Sequence, residues 1–181
     1  EKLTSIANYR DRTTCVLFGD AAGAAVLEPS QNGSGLLSTF MRSDGKMARW
    51  LWIETGGSVN PYTKDFSFNG TDKIQMAGSD VFKVAVKEMA AASQKVLDDA
   101  GLTADDVSLV IPHQANMRII EAVAKRLKIS MDRFYVNIEK YGNTSSASIP
   151  LALDQANRAG LIKEGDHVLM TAFGGGLIWG A

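Results

Sequence analysis

The sequence predicts an α/β fold in which helices layer against a partly parallel β-sheet. Three observations carry that prediction. After residue 35, apolar strand-type runs alternate with amphipathic helical stretches in the order β, α, β, α, β, α, β, β. The 181 residues, 45% of them hydrophobic, suffice to bury a sizeable core as one domain or a compact two-lobed unit. Polar or glycine-rich clusters follow the apolar strands, and ligands in such folds gather at the carboxyl ends of strands.

Taken in order, the runs 13–18 (TTCVLF) and 23–29 (GAAVLEP) are β-prone and joined by GDAAG, so they read as adjacent strands about a glycine-permitted turn. The polar stretch 30–35 (SQNGSG) reads as a linker and divides the chain into 1–33 and 34–181. A strand is expected within 36–45, then an irregular segment over 45–78 that contains a short strand near 73–78. Ser79 or Asp80 is expected to cap a long helix whose Phe82, Val86, Met89, Val96 and Leu97 recur at three- and four-residue steps, until Gly101 stops it. Residues 107–112 (VSLVIP) have the pattern of a buried strand. The following helix, over 115–129, turns Met117, Ile120, Val123 and Leu127 inward and Arg118 and Lys125 outward. A short strand near 134–138, a turn at 140–143, a helix over about 146–158 stopped by Gly160, and a strand over 167–173 complete the series.

Composition excludes several function classes. Nineteen basic against twenty acidic residues leave a formal charge of -1, with no block of like charge to draw nucleic acid or an anionic membrane. No apolar run reaches the roughly 18 residues of a spanning helix, and EKLTSIANYRDR lacks the apolar centre of a signal peptide, so a cytoplasmic protein is expected. The single cysteine, Cys15, has no partner for an internal disulfide, and its apolar run suits a buried small hydrophobe. His113 and His167 are far apart in sequence, with no HExxH and no cysteine pair, so no metal site is expected. His167 opens a strand after EGD and reads as an exposed edge residue. The absence of G-x-S-x-G removes the usual serine hydrolase elbow. FGGG precedes a strand rather than a helix with Lys-Ser/Thr, and GDAAGAA also leads into a strand, so both fail as phosphate or dinucleotide motifs.

Three clusters remain as candidate chemistry: PHQAN (112–116), YGNTSSAS (141–148) and FGGGLIWG (173–180). Brought to one sheet edge, they form a shared site. Each also has a plain structural role open to it. His113 suits an imidazole bonded to a backbone carbonyl at a strand end, Asn143 suits the N-cap of the helix it precedes, and the glycine run suits a tight turn.

Together, LFGDAAGAAVL, IPHQANMRII, YGNTSSASIPLAL and FGGGLIWGA resemble the C-terminal part of the β-ketoacyl-acyl carrier protein synthase III family, the initiating condensing enzymes of bacterial and plastid type II fatty acid synthesis. The thirty-residue spacing from His113 to Asn143 agrees with the family's His and Asn. The resemblance implies a thiolase-like fold: two similar halves, each a mixed β-sheet flanked by helices, in a five-layered α/β/α/β/α subunit of a homodimer. On that map residues 1–33 end the N-terminal half and 34–181 form the C-terminal half. The family's nucleophilic cysteine lies in the missing part of the N-terminal half, and Cys15 does not match it.

The same resemblance implies roles for individual residues. Family enzymes take acetyl-CoA as a substrate, use no cofactor, and decarboxylate malonyl-acyl carrier protein to an enolate. His113 and Asn143 match the two donors that stabilise the enolate oxygen; a neutral imidazole and an amide each offer an N–H without changing charge. Gly175 matches the backbone donor of the oxyanion hole for acyl transfer, and Phe173 borders the acyl pocket. Gly78, Phe82, Asn116 and Arg118 match the pantetheine and phosphate channel, with Arg12 near its adenine end. Lys83, Arg118, Lys125 and Arg126 match a surface for the acidic carrier protein; the plain reading is a solvated helix face on which Glu121 pairs with Lys125. Two alternatives stay open: a noncatalytic acyl-CoA or acyl carrier protein binding module, and another thiolase-fold enzyme such as a polyketide starter synthase. A plant source would place the protein in the plastid stroma.

Overall fold

The longest helix sets the layer on which the rest is built. In the computed structural model, which describes residues 1–30 and 34–181, α1 (Gly78–Ala100) buries Val81, Ala85, Val86, Met89, Val96 and Leu97 along one stripe. Gly101 ends it at φ 69°, its N–H reaching the carbonyls of Leu97 and Asp98. Neither Ser79 nor Asp80 caps it. The helix begins at Gly78 behind an Ala77 N-cap without a side-chain bond, and Asp80 lies in the first turn, where the helix dipole favours a carboxylate.

Against α1 lies a four-stranded mixed sheet. Its strands are β1 (Met41–Ser43), β4 (Val107–Pro112), β5 (His167–Gly174) and β6 (Ile178–Gly180), in the order β1-β6-β5-β4. β4 and β5 run parallel, while β5–β6 and β6–β1 are antiparallel. A second, two-stranded sheet pairs β2 (Leu51–Trp52) with β3 (Gln75–Met76), the short strand expected near 73–78. Alternation along β5 sorts the main sheet's faces. Leu169, Thr171 and Phe173 turn toward α1, where the Thr171 hydroxyl donates to the Met89 carbonyl. Val168 turns to the opposite face, where α4 (Ser148–Arg158) covers Leu109 and Ile111 with Ala152 and Ala156. Beyond α4 that face stays open, and Met41, Met170 and Ile178 are exposed on it.

The helix α2 (Met117–Leu127) packs on α1 through Ile119, Ile120, Val123, Ala124 and Leu127. Each of the fully buried Met89, Ile111 and Ile120 contributes about 1.5–3 kcal/mol of burial energy. Met117, expected inward, is 37% exposed, because it is the first helical residue and precedes the turns that lie on α1.

Residues 13–18 and 23–29 are not strands. The first forms consecutive turns and the second has no regular structure, with Val26 and Leu27 exposed at 93% and 94%. A strand needs a lateral partner, and no strand of either sheet lies beside these segments; isolated bridges join only Phe18 to Asn143 and Lys2 to Asp20. Cys15 is half-buried in the turns rather than enclosed in a strand. The boundary expected after residue 33 falls on 31–33, outside the described residues.

Near 134–138 only a single bridge, Phe134 to Val110, forms in place of the expected strand. A side chain takes over the ladder there: the Gln114 amide donates to the Tyr135 carbonyl and accepts from the Asn137 N–H. The turn expected at 140–143 follows the short helix α3 (Ile138–Tyr141), and a 3-10 turn, Ser145–Ala147, delays α4 to Ser148. His167 is no edge residue, since β5 is an interior strand; its side chain is half-buried with Nδ1 3.2 Å from the Asp106 carbonyl oxygen.

Candidate active site

His113 sits one residue past β4. Its N–H continues the β4–β5 pairing to the Thr171 carbonyl at 2.8 Å, so the sheet itself fixes the backbone from which the imidazole projects. His113 is 8% exposed. Nδ1 lies 2.6 Å from the Ser148 hydroxyl at the first residue of α4, and the Gln114 N–H reaches the same oxygen at 3.4 Å. Burial pushes the imidazole down to about 4, so it is neutral at physiological pH.

Gln114 explains how the His turn is held. Its buried amide donates to the Pro112 carbonyl at 2.9 Å and the Tyr135 carbonyl at 3.1 Å, and its oxygen accepts from the Asn137 N–H at 3.1 Å. Asn137 in turn donates to the Gln155 side chain on α4, and Gln155 donates to the Tyr141 hydroxyl. The amide chain therefore joins the His113 turn, the segment leading to Asn143, and α4.

Asn143 is held by main chain. Its N–H donates to the Leu17 carbonyl at 2.8 Å and its carbonyl accepts from the Gly19 N–H at 2.9 Å, so residues 17–19 clamp it from both sides. No side chain fits at Gly19, because a Cβ there meets the Tyr141 carbonyl oxygen at 2.0 Å. The Asn143 side-chain oxygen accepts from the Ser145 N–H at 2.9 Å, closing an Asx turn that follows Gly142 at φ 68° and ends on Ser145 at φ 52°. Asn143 thus caps no helix; α4 starts five residues later. Among the described residues, His113 Nε2 and Asn143 Nδ2 have no hydrogen-bond partner.

Both side chains border one cavity of about 670 Å³, within the range of small-molecule sites. Phe173 and Gly175 line it with them, as do Leu51, Trp52, Met170 and Ile178, so its walls are mainly apolar. The Gly175 backbone passes close to β2, and a Cβ on it lies 3.1 Å from the Leu51 carbonyl oxygen.

The remaining expected residues fall elsewhere. Arg118 stacks over Phe82, its guanidinium carbon 5.7 Å from the ring centroid. Asn116 is the N-cap of α2, its side-chain oxygen accepting from the Arg118 N–H at 2.9 Å, and it borders a second cavity of about 340 Å³ beside Met117, Ile138 and Gly142. Gly78 is the exposed first residue of α1, and Arg12 is exposed on the 11–17 turns, away from the other candidates' cavities. Lys83 lies 3.7 Å from Asp80; among the described residues Arg118, Lys125 and Arg126 are exposed outside any ion pair, and the expected Glu121–Lys125 pair does not form. Also among the described residues, no three His, Cys, Asp or Glu side chains gather to hold a metal, and no helix is long and apolar enough to cross a membrane.

Sequence reasoning missed Ser148, Gln114 and the 17–19 clamp. Gln114 stood beside His113 and Ser148 closed the second cluster, but neither carries a signal of which atom it meets.

Residues 97–181 match the family model 3-Oxoacyl-[acyl-carrier-protein (ACP)] synthase III C terminal, and residues 1–45 match the model 3-Oxoacyl-[acyl-carrier-protein (ACP)] synthase III. A Clostridioides difficile protein described as beta-ketoacyl-[acyl-carrier-protein] synthase III is 53% identical over 100% of this chain and 55% of its own length. One of the same description from Roseiflexus castenholzii is 51% identical over 97% of this chain and 53% of its own. The crystal structure of 3-oxoacyl-[acyl-carrier-protein] synthase III from Aquifex aeolicus superposes with a TM-score of 0.88 at 46% identity, covering 99% of this chain and 54% of that one. The chain spans about half the length of the curated relatives it matches, and it shares the thiolase-like α/β fold of the solved synthases. Two matched models, relatives near 50% identity and a superposed fold place this chain in the 3-oxoacyl-[acyl-carrier-protein] synthase III family, as its C-terminal portion.

Proposed function

We propose that the chain is the C-terminal half of a β-ketoacyl-acyl carrier protein synthase III, which condenses acetyl-CoA with malonyl-acyl carrier protein to start type II fatty acid synthesis. The observation that carries this reading is the pair of side-chain nitrogens, His113 Nε2 and Asn143 Nδ2, left without partners among the described residues at one apolar cavity. Residues 1–33 end the first half and 34–181 form the second. The complementary half brings the cysteine that carries the acetyl group as a thioester, and it covers the open sheet face at Met41, Met170 and Ile178.

The chemistry follows from where charge develops. As malonyl thioester loses carbon dioxide, the electron pair of the breaking C–C bond passes to the α-carbon and, by conjugation, to the thioester oxygen. His113 and Asn143 donate hydrogen bonds to that oxygen and no proton needs to move. The α-carbon then attacks the acetyl carbonyl carbon on the cysteine. The displaced C=O electrons rest on oxygen, where the Gly175 N–H stabilises them, and collapse expels the cysteine thiolate to leave acetoacetyl-acyl carrier protein. An apolar, preorganised site suits this work, since donors already in place need no reorganisation as charge appears.

Phe173 borders the acyl chain. Gly78, Phe82, Asn116 and Arg118 line the path of the pantetheine and phosphates, with Arg12 at the adenine end, and the Phe82–Arg118 stack supports that path by fixing one cation beside it. The exposed Lys83, Arg118, Lys125 and Arg126 meet the acidic carrier protein. The enzyme works as a homodimer in the cytoplasm, or in the plastid stroma of a plant. The test is malonyl-acyl carrier protein decarboxylation by the full-length protein and by its His113→Ala and Asn143→Ala variants. Each loss of a donor is expected to slow the step by about 10²–10³-fold; unchanged rates in both variants sink the reading.

A further inference from the structure

We propose that Ser148 is a positioning residue that sets the tautomer of His113: its hydroxyl donates to Nδ1 and so keeps the single imidazole proton on Nε2, the nitrogen without a protein partner among the described residues. The inference rests on the reading of His113 as a donor, and it names what makes that ring a donor rather than an acceptor.

A neutral imidazole carries one N–H, so whichever nitrogen accepts leaves the other to donate. The 2.6 Å contact between Nδ1 and the Ser148 oxygen runs in either direction by distance alone. Its surroundings decide. The Gln114 N–H already points at the Ser148 oxygen from 3.4 Å and takes up an acceptor position there. The hydroxyl hydrogen has only one acceptor within reach among the described residues, which is Nδ1. Ser148 is buried, so a hydroxyl that accepted from Nδ1 as well would leave its own hydrogen without a partner away from water. Ser148 is also the first residue of the eleven-residue α4, whose positive end disfavours further positive charge on Nδ1.

The Asn143 turn follows the same logic. Ser145 N–H occupies the Asn143 oxygen, so the amide group turns its donors, not its acceptor, to the cavity. Two serines, each within the stretch 142–148, thereby orient the two candidate donors. The opposite His113 tautomer directs a lone pair at the developing enolate oxygen, where it repels rather than stabilises.

The test uses the full-length enzyme with isotope-labelled histidine and a proton–nitrogen correlation spectrum that distinguishes the two tautomers, His113 being assigned from the signals lost in His113→Ala. We expect the Nε2–H form in the wild type and in Ser148→Thr, and a shift toward Nδ1–H in Ser148→Ala. Decarboxylation by Ser148→Ala falls about 10–100-fold in kcat with little change in KM, as for other residues that orient a functional imidazole, while Ser148→Thr stays close to wild type. An Nδ1–H wild type overturns the proposal, and that spectrum decides even where Ser148→Ala fails to fold. A Ser148→Ala enzyme that keeps both the Nε2–H form and the wild-type rate also overturns it, while a slow His113→Ala leaves the donor reading standing. A fast His113→Ala enzyme instead sinks the donor reading, with the tautomer still judged by the spectrum.

Discussion

His113 and Asn143 border the same cavity but are held there by different kinds of bond. The His113 ring is fixed by side chains, the Ser148 hydroxyl on Nδ1 and the buried Gln114 amide that ties its turn to 135–137. Asn143 is fixed by main chain, between the Leu17 carbonyl and the Gly19 N–H, more than a hundred residues earlier in sequence. The difference teaches where each is vulnerable. Side-chain clamps fail when their polar groups are removed, whereas a main-chain clamp survives most substitutions and fails only where a new side chain forces the two backbone segments of the clamp apart.

Gly19→Ala is therefore expected to give the largest effect. Its Cβ meets the Tyr141 carbonyl oxygen at 2.0 Å, a backbone atom that cannot swing away, so the 17–19 segment must lift and release Asn143. A displacement of about 1 Å at a positioned group typically costs about 10²-fold in rate. Malonyl-acyl carrier protein decarboxylation by the full-length Gly19→Ala enzyme should fall by at least that much, while the His113 tautomer stays as in the wild type. A rate within about threefold of wild type shows that the clamp does not position Asn143.

Next in size is the side-chain clamp. Gln114→Met keeps length and apolar volume but leaves the Tyr135 carbonyl and the Asn137 N–H without their buried partner. Orphaning buried polar groups costs about 1–3 kcal/mol each, so for these two we expect a loss of about 2–6 kcal/mol in chemical denaturation at unchanged m-value. Asn143→Ser, which keeps a weaker hydroxyl acceptor for the Ser145 N–H and removes only the amide donor at a half-exposed position, should cost less than about 1 kcal/mol by the same measurement. Equal losses in the two variants erase the contrast.

The contrast also explains what the sequence made legible. α1, α2, β4 and β5 were read correctly because each carries its own period: the buried positions of α1 recur at helical spacing, and β4 is apolar along nearly its whole length. The three clusters stood out because each follows an apolar strand or its turn; the family resemblance then pointed to His113, Asn143, Phe173 and Gly175 within them, and these four border one cavity. The pairing of 13–18 and 23–29 was misread, since strand propensity names no partner and Val26 and Leu27 find none here. The short strand at 134–138 was misread for the opposite reason: a partner exists, but β4 reaches it only at Val110 and the Gln114 side chain takes over beyond. Ser148 escaped because a serine at a helix start is ordinary in sequence, so nothing local marks its bond to a ring 35 positions earlier.

The smallest effect at neutral pH separates the two residues by titration. The imidazole has an ordinary value of 6.5 and burial lowers it to about 4 in the folded protein. The unfolded chain therefore binds a proton as pH falls through 6.5 while the folded chain does not, so stability is fully present above about pH 6.5 and is lost progressively down to about pH 4. At 1.36 kcal/mol per unit, the gap from 6.5 to about 4 corresponds to a loss on the order of 3 kcal/mol. His113→Gln removes this dependence, so its stability should fall less steeply than wild type between those limits and match the wild-type slope above them. Asn143 has no proton to gain, and Asn143→Ser should keep the wild-type slope throughout. Denaturation midpoints measured at half-unit steps of pH check both slopes. Parallel curves for wild type and His113→Gln show that the ring is solvated in the folded protein, and with water at Nδ1 the Ser148 contact no longer governs its proton.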